Sequence, residues 1–324
     1  MTPARGEPQH QADPPITANP QIREDRTTPM TTVKPANAPA PAAAATVSDD
    51  RHGAALRFAD ADRAPETSLR SLLRDSGIQA GRLLLRWRRD PYTIVQAVVY
   101  PAVMLLMLWA VLGISITNAT GVDSIYGTTP LMTLVGAMFG SIASGLALRR
   151  ERDEGLLARF WVLPMHRAAG LVSRLLAEAV RIVVTTALIV SVGFALGFRF
   201  DQGLLPGIMM LCIPLLFGIG FATLVTALAV NSSKVPLVEL LSLTTSFLLF
   251  FNSGFVPTSA YPTWMQGFVA NQPMSCAIDA MRGLTLGGPV AEPLIKALAW
   301  SLGAIVLFAW PAIRGYRRAA GNRS

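Results

Sequence analysis

Six consecutive residues carry ionised side chains: Arg149, Arg150, Glu151, Arg152, Asp153 and Glu154. The stretch then runs on as GLLARFWVLPMHR to Arg167. Guanidinium and carboxylate groups at this density suit a surface that is gripped through charge-assisted hydrogen bonds. A cluster that served only to keep one side of a membrane protein positive would not need three acids, because Asp and Glu contribute little to that rule. The expected chemistry is therefore the docking of a partner.

Bond-making chemistry has no comparable set. No Gly-x-x-x-x-Gly-Lys-Ser/Thr loop occurs, so the chain does not bind ATP by that mechanism. The three histidines, His10, His52 and His166, stand beside no nucleophile and carboxylate that would complete a catalytic set. No His-Glu-x-x-His or Cys-x-x-Cys pattern is present. Cys212 and Cys276 form neither a disulfide framework nor a metal spacing, so no metal site is expected.

The elements that position the cluster follow from composition. The 324 residues are 52% hydrophobic and 15% charged, with mean hydropathy +0.43. A soluble domain carries about 25% charged residues, so the chain reads as an integral membrane protein. The net charge of +8 does not point to nucleic acid, because the arginines flank apolar runs instead of forming one soluble patch. The excess of arginine over lysine suits a GC-rich bacterial genome.

Three regions are expected. Residues 1–66 form a Pro/Ala-rich tail with too little apolar surface to offset its ordering entropy, hence disordered; translation could start at Met1 or at Met30. Residues 67–90 interleave Leu69, Leu72, Leu73, Leu83, Leu84 and Trp87 with arginines, the pattern of an amphipathic helix on a membrane surface. Residues 91–318 contain six runs near the roughly 20 apolar residues that a span needs: 92–116, 129–148, 171–197, 204–230, 236–256 and 294–313. The fold class is thus all-α, with six spans. The loop 257–293 carries Trp264, Phe268, Met274, Ile278 and Met281 broken by Gly and Pro, and is expected to form short helices dipping into the outer interface.

Arg82, Arg86, Arg88 and Arg89 precede the first span. Arg149, Arg150, Arg152, Arg159, Arg167 and Arg174 separate the second and third. Lys234 lies in the fourth-to-fifth loop, and Arg314, Arg317 and Arg318 follow the sixth. The opposite loops hold only Arg199, Arg282 and Lys296. Both termini and the 149–167 loop are therefore expected in the cytoplasm of a bacterial plasma membrane.

Within that loop, 149–163 is expected to be a short helix. Glu151, Asp153 and Glu154 would occupy its first turn, where the macrodipole favours each by about 0.3–1 kcal/mol. Leu156, Phe160 and Leu163 would make its apolar stripe, and Pro164 would end it. Glu178, Arg181 and Glu239 are expected near the cytoplasmic face. With no titratable group near the midplane, an ion-coupled carrier is disfavoured. Arg174, Glu178 and Arg181 share one face, either as intrahelical ion pairs or as a relay into the bundle. Gln96, Tyr100, Thr244, Thr245, Asn252 and Ser253 could line a transport path or act as interhelical glue.

The stretch Glu151, Glu154, Gly155, Leu157 and Pro164 resembles the signature of the ATP-binding-cassette type-2 permease family. It departs from that signature at Leu156 and Ala158. The entry to the first span, with Arg89, Pro91 and Pro101, resembles the family too. So does the outer loop, with Pro257, Pro262, Pro273 and Arg282. The resemblance covers about 68–318 and has the flavour of daunorubicin-resistance-type permeases and related actinobacterial complex-lipid exporters.

That resemblance implies a non-enzymatic half-transporter. A second permease subunit, identical or sister, would complete the path. Separate ATP-binding subunits would use ATP and magnesium. Arg150, Glu151, Asp153, Glu154, Gly155 and Pro164 would belong to the coupling helix that seats in the ATPase. The cargo would be a hydrophobic drug, polyketide or complex lipid. Polysaccharide or ion export by the same family, a lipid-acting membrane enzyme and a non-transporting scaffold are the rival readings.

Overall fold

A computed structural model describes residues 68–156, 168–231 and 237–321, all within one compact unit, Phe58–Ser324. The expected disordered tail 1–66 lies outside the described residues. So do Arg159, Pro164, His166 and Arg167 of the charged loop, and Lys234. The described residues are helical, with no strand among them.

Helix α1, Leu69–Arg89, is capped by Ser68, whose hydroxyl accepts the Ser71 N–H at 3.1 Å. It exposes Leu69, Leu73, Ile78 and Leu85 and packs its other face on α4. Asp90 ends it and starts the next helix at once. One carboxylate oxygen of Asp90 accepts Tyr92 N–H at 3.1 Å and the other accepts the Thr93 hydroxyl at 2.6 Å, with Pro91 in the first turn.

Among the described residues, five helices are long and apolar enough to cross a membrane: α2 (Pro91–Ala119), α3 (Ile125–Asp153), α4 (Ala169–Ala195), α5 (Leu204–Asn231) and α9 (Ala291–Arg318, the helix continuing to Gly321). In α2 a π-helical turn, Val95–Val99, sits just before Pro101, whose ring nitrogen has no hydrogen to donate. The bundle is built round α3: 78% of its apolar window is buried, against 11% for α9, which leaves most of its surface to lipid. The main core joins Leu131, Met132 and Leu134 of α3 to Ile189 of α4, Met210 of α5 and Ile278 and Met281 of α8.

The fifth expected span is a correction. Helix α6 covers only Leu237–Leu248, 12 residues, or about 18 Å against a hydrocarbon core of ~30 Å. Asn252 stops it: its side-chain amide donates to Leu249 O, and its carbonyl accepts Gly254 N–H at 2.7 Å. Such local side-chain bonds compete with the helical ladder. At its centre the unwound chain is enclosed, Asn252 at 0% and Ser253 at 1% exposure, the condition under which irregular backbone survives at membrane depth. Among the described residues, five helices reach spanning length and α6 does not.

The segment 257–293 does contain short helices: a 3-10 turn at Thr258–Ala260, α7 (Thr263–Asn271) and α8 (Pro273–Leu286). Helix α8 is buried along most of its length against α9, α5 and α3, whereas α7 exposes Trp264 and Phe268.

Candidate functional site

The charge cluster is not the start of a helix. Arg149–Asp153 form the last turn of α3, which ends at Glu154 and Gly155. Gly155 has φ +72°, and its N–H bonds to Arg152 O at 3.0 Å, the left-handed stop that glycine favours past a helix end. The acids thus sit at the negative end of the macrodipole, opposite to the expectation. A Gly straight after a charged run was the signal for this, and it outweighs the acidic composition.

That reversal divides the cluster in two. Glu151 points inward and is 4% exposed. One of its oxygens is ion-paired to Arg86 of α1, the other to Arg174 of α4. Tyr316 of α9 hydrogen-bonds Arg174 as well. Arg149 reaches across to Glu239 of α6, with 2.8 Å to both carboxylate oxygens, and Arg152 reaches Ala229 O of α5 at 3.5 Å. Arg150, Asp153 and Glu154 remain exposed. The expected exposed tip therefore shrinks to these three and Gly155, and Glu151 becomes the clamp that gathers α1, α3 and α4 directly behind it.

A second tier lies deeper. Arg181, expected near the membrane face, is at the middle of the 27-residue α4, about 18 Å from its first residue. It is ion-paired to Glu178, and its Nη2 donates to Ser141 Oγ at 3.1 Å and Ala137 O at 3.3 Å of α3. Ser141 in turn donates to Glu178 at 3.2 Å. An arginine this deep survives because every donor direction finds an acceptor. Gly140 makes the room: a Cβ there would collide with the Arg181 guanidinium, while one on Gly136 would meet Ala97 and Thr185. Of the two readings for the 174/178/181 face, Glu178–Arg181 is an intrahelical pair, while Arg174 leaves the helix for Glu151. A cavity of about 70 Å³ lies between the tiers, lined among others by Arg86, Glu151, Arg174, Glu178 and Arg181.

The six path candidates do not converge. Gln96 donates to Tyr92 at 2.8 Å, and Tyr100 packs edge-on to Phe139 with ring centroids 5.6 Å apart. Ser253 binds α8, its N–H to Ser275 Oγ at 3.1 Å and its carbonyl accepting Arg282 at 2.7 Å. With Asn252 it fastens the unwound chain. Only Thr244 and Thr245 line a large apolar cavity, between α5, α6 and α9. No cluster able to hold a metal occurs among the described residues.

Comparison with known proteins decides the family. Residues 78–286 match the model of the ABC-2 type transporter family. The chain belongs to the ABC-2 type transporter family. This ABC-2 permease is 45% identical over 243 residues to the "Probable doxorubicin resistance ABC transporter permease protein DrrC" of Mycobacterium tuberculosis, covering 75% of this chain and 88% of that one. It is 29% identical over 237 residues to the "Daunorubicin resistance ABC transporter permease protein DrrB1" of Streptomyces coeruleorubidus, covering 73% and 83%. It is 28% identical over 206 residues to the "Doxorubicin resistance ABC transporter permease protein DrrB" of Mycobacterium tuberculosis, covering 59% and 69%. The ABC-2 match contains both charge tiers, the π turn and the unwound segment after α6. It is a multi-pass bacterial membrane permease of the Drr type.

Proposed function

We propose that this ABC-2 permease is the membrane subunit of an ATP-driven exporter of amphipathic drugs, polyketides or complex lipids. ATP and magnesium are used by a separate ATP-binding chain. A second permease, a copy or a sister, completes the path. The basic end, with both chain termini, faces the cytoplasm, and α1 lies along that surface.

The observation that carries the reading is the contrast within one helix end: Arg150, Asp153 and Glu154 exposed, Glu151 clamped beneath them. A partner that engages the exposed three, together with Gly155 and Pro164, moves α3. Through Glu151 it moves α1 and α4 with it. Family membership makes an ATP-binding cassette the expected partner, and the names of the relatives make an anthracycline the first cargo to try.

The test is co-purification of the tagged chain from its host in mild detergent, with wild type beside an Asp153→Arg, Glu154→Arg double variant. Wild type should bring down a stoichiometric chain with a phosphate-binding loop, and the variant should lose it while inserting at normal levels. Full co-purification and normal anthracycline efflux by the double variant would overturn the docking assignment.

A further inference from the structure

The cavity between α5, α6 and α9 measures about 710 Å³, within the ~300–1,000 Å³ range of single-ligand sites. Its walls are Phe217, Phe221, Leu241, Leu248, Leu307 and Phe308. Water does not persist there, because each molecule needs two to four polar partners that these walls do not offer. Left empty, the walls would forfeit their dispersion contacts.

One end differs. Asn271, Gln272, Lys296 and Trp300 gather there, at the end of the bundle away from the arginines. The Trp300 indole N–H donates to Asn271 O at 3.0 Å, and Lys296 is the one charged residue in the lining; its salt-bridge partner Glu292 is 76% exposed in its side chain and stands outside the groove. The groove is thus amphipathic along its length, apolar below and polar at its mouth, where the ammonium of the Lys296–Glu292 ion pair stands. From Lys296 to Phe308 it follows twelve residues of α9, about 18 Å, close to one leaflet of a ~30 Å hydrocarbon core.

One extended acyl chain fits. Small residues keep the space open: Gly303 and Ala304 line it, and a Cβ on Gly303 would meet nothing within 4 Å.

We propose that this groove is a binding site for an anionic phospholipid of the membrane half opposite the basic end. One acyl chain lies along α9, and the phosphate sits on Lys296. The site does not depend on the cargo or on the docking of an ATPase.

The full chain is reconstituted in nanodiscs with phosphatidylglycerol or phosphatidylcholine carrying a photoreactive acyl chain, and labelled peptides are mapped. Label is expected on 241–248 and 299–308. Phosphatidylglycerol should exceed phosphatidylcholine by about fivefold, the ~1 kcal/mol of one lysine near an anionic headgroup. Gly303→Phe fills the open space and should remove the groove label while sparing the lipid-exposed face of α2 at Trp109 and Ile114. Loss at both places would mean a misfolded variant, and Ala304→Leu then takes its place. Lys296→Gln should keep the label and lose the preference. Groove label indifferent to both groove-filling variants, preference that survives Lys296→Gln, or displacement by doxorubicin would each overturn the assignment, the last making the groove a cargo site.

Discussion

Glu151 and Arg174 form an ion pair inside the protein although they belong to the ends of two different helices, α3 and α4, with side chains only 6% and 12% exposed. The exposed Arg150, Asp153 and Glu154 stand at the end of α3, where the loop that joins those two helices begins. The two ends are therefore fastened to each other behind the surface that a partner would seize, so a push on the loop is delivered to both helices at once.

Removing the shared acid should be costly. Glu151→Gln leaves Arg174 buried with no counter-charge, a change worth about 3–5 kcal/mol when a buried pair is broken. Thermal unfolding in detergent should fall by roughly 6–20 °C, at 2–4 °C per kcal/mol. Arg86→Gln should cost under ~1 kcal/mol, since Arg86 is 54% exposed in its side chain. Equal losses for the two variants would contradict the clamp.

The deeper tier is tested by one methyl group. Gly140→Ala drives its Cβ into the Arg181 guanidinium, which four acceptors hold in place. Stability should drop by about 2–4 kcal/mol as the arginine loses its partners. Gly77→Ala on α1, where a Cβ meets nothing, should instead gain about 0.5–1 kcal/mol from helix propensity. Melting curves of the two variants side by side check both signs.

At the end of α3, Gly155→Ala forces a Cβ into φ +72°, at about 1–2 kcal/mol. The strain is relieved by re-aiming the loop, so export should fall more than stability does. An efflux assay at matched expression reads the difference. Unchanged efflux would show that the turn does not set the docking geometry.

In the far-end helix α8, burial pushes the Asp279 carboxyl above its ordinary value, only partly offset by its hydrogen bond with Ser253 and the nearby Arg282, and it lowers Arg282 below its own. A raised carboxyl pKa favours the folded state most below the unfolded value, near pH 4. That contribution fades as pH rises through the folded value. Wild type should thus lose stability relative to Asp279→Asn as pH is raised from about 4. A difference in melting temperature that grows in the other direction would reverse the assignment.

The sequence displayed the long spans because apolar runs of that length have one interpretation in a chain so poor in charge. It hid the end of α6, because the Leu, Val and Phe of 236–256 make that run pass for a span. What stops the helix there is the pair of bonds that the Asn252 side chain makes to the backbone of Leu249 and Gly254, which hydropathy does not record. The charge cluster misled through composition: three acids suggested a helix start, while Gly155 marked a helix end. The Gly136-x-x-x-Gly140 spacing on α3 was present to be read as a close-packing face. Its occupant was not, since only the assembled bundle brings Arg181 over it.

The Glu151 clamp also has a place in time. Its partners are 65 residues earlier and 23 residues later in the chain, so it is complete once Arg174 has been made, with 150 of the 324 residues still to come. At about 5–20 residues per second that interval is some 8–30 s, within which α4 is completed at Ala195 and Arg174 can neutralise the buried acid of α3. The half-made permease thus waits in the membrane without a bare internal charge, and α9 arrives last to lay Tyr316 over a junction that has already closed.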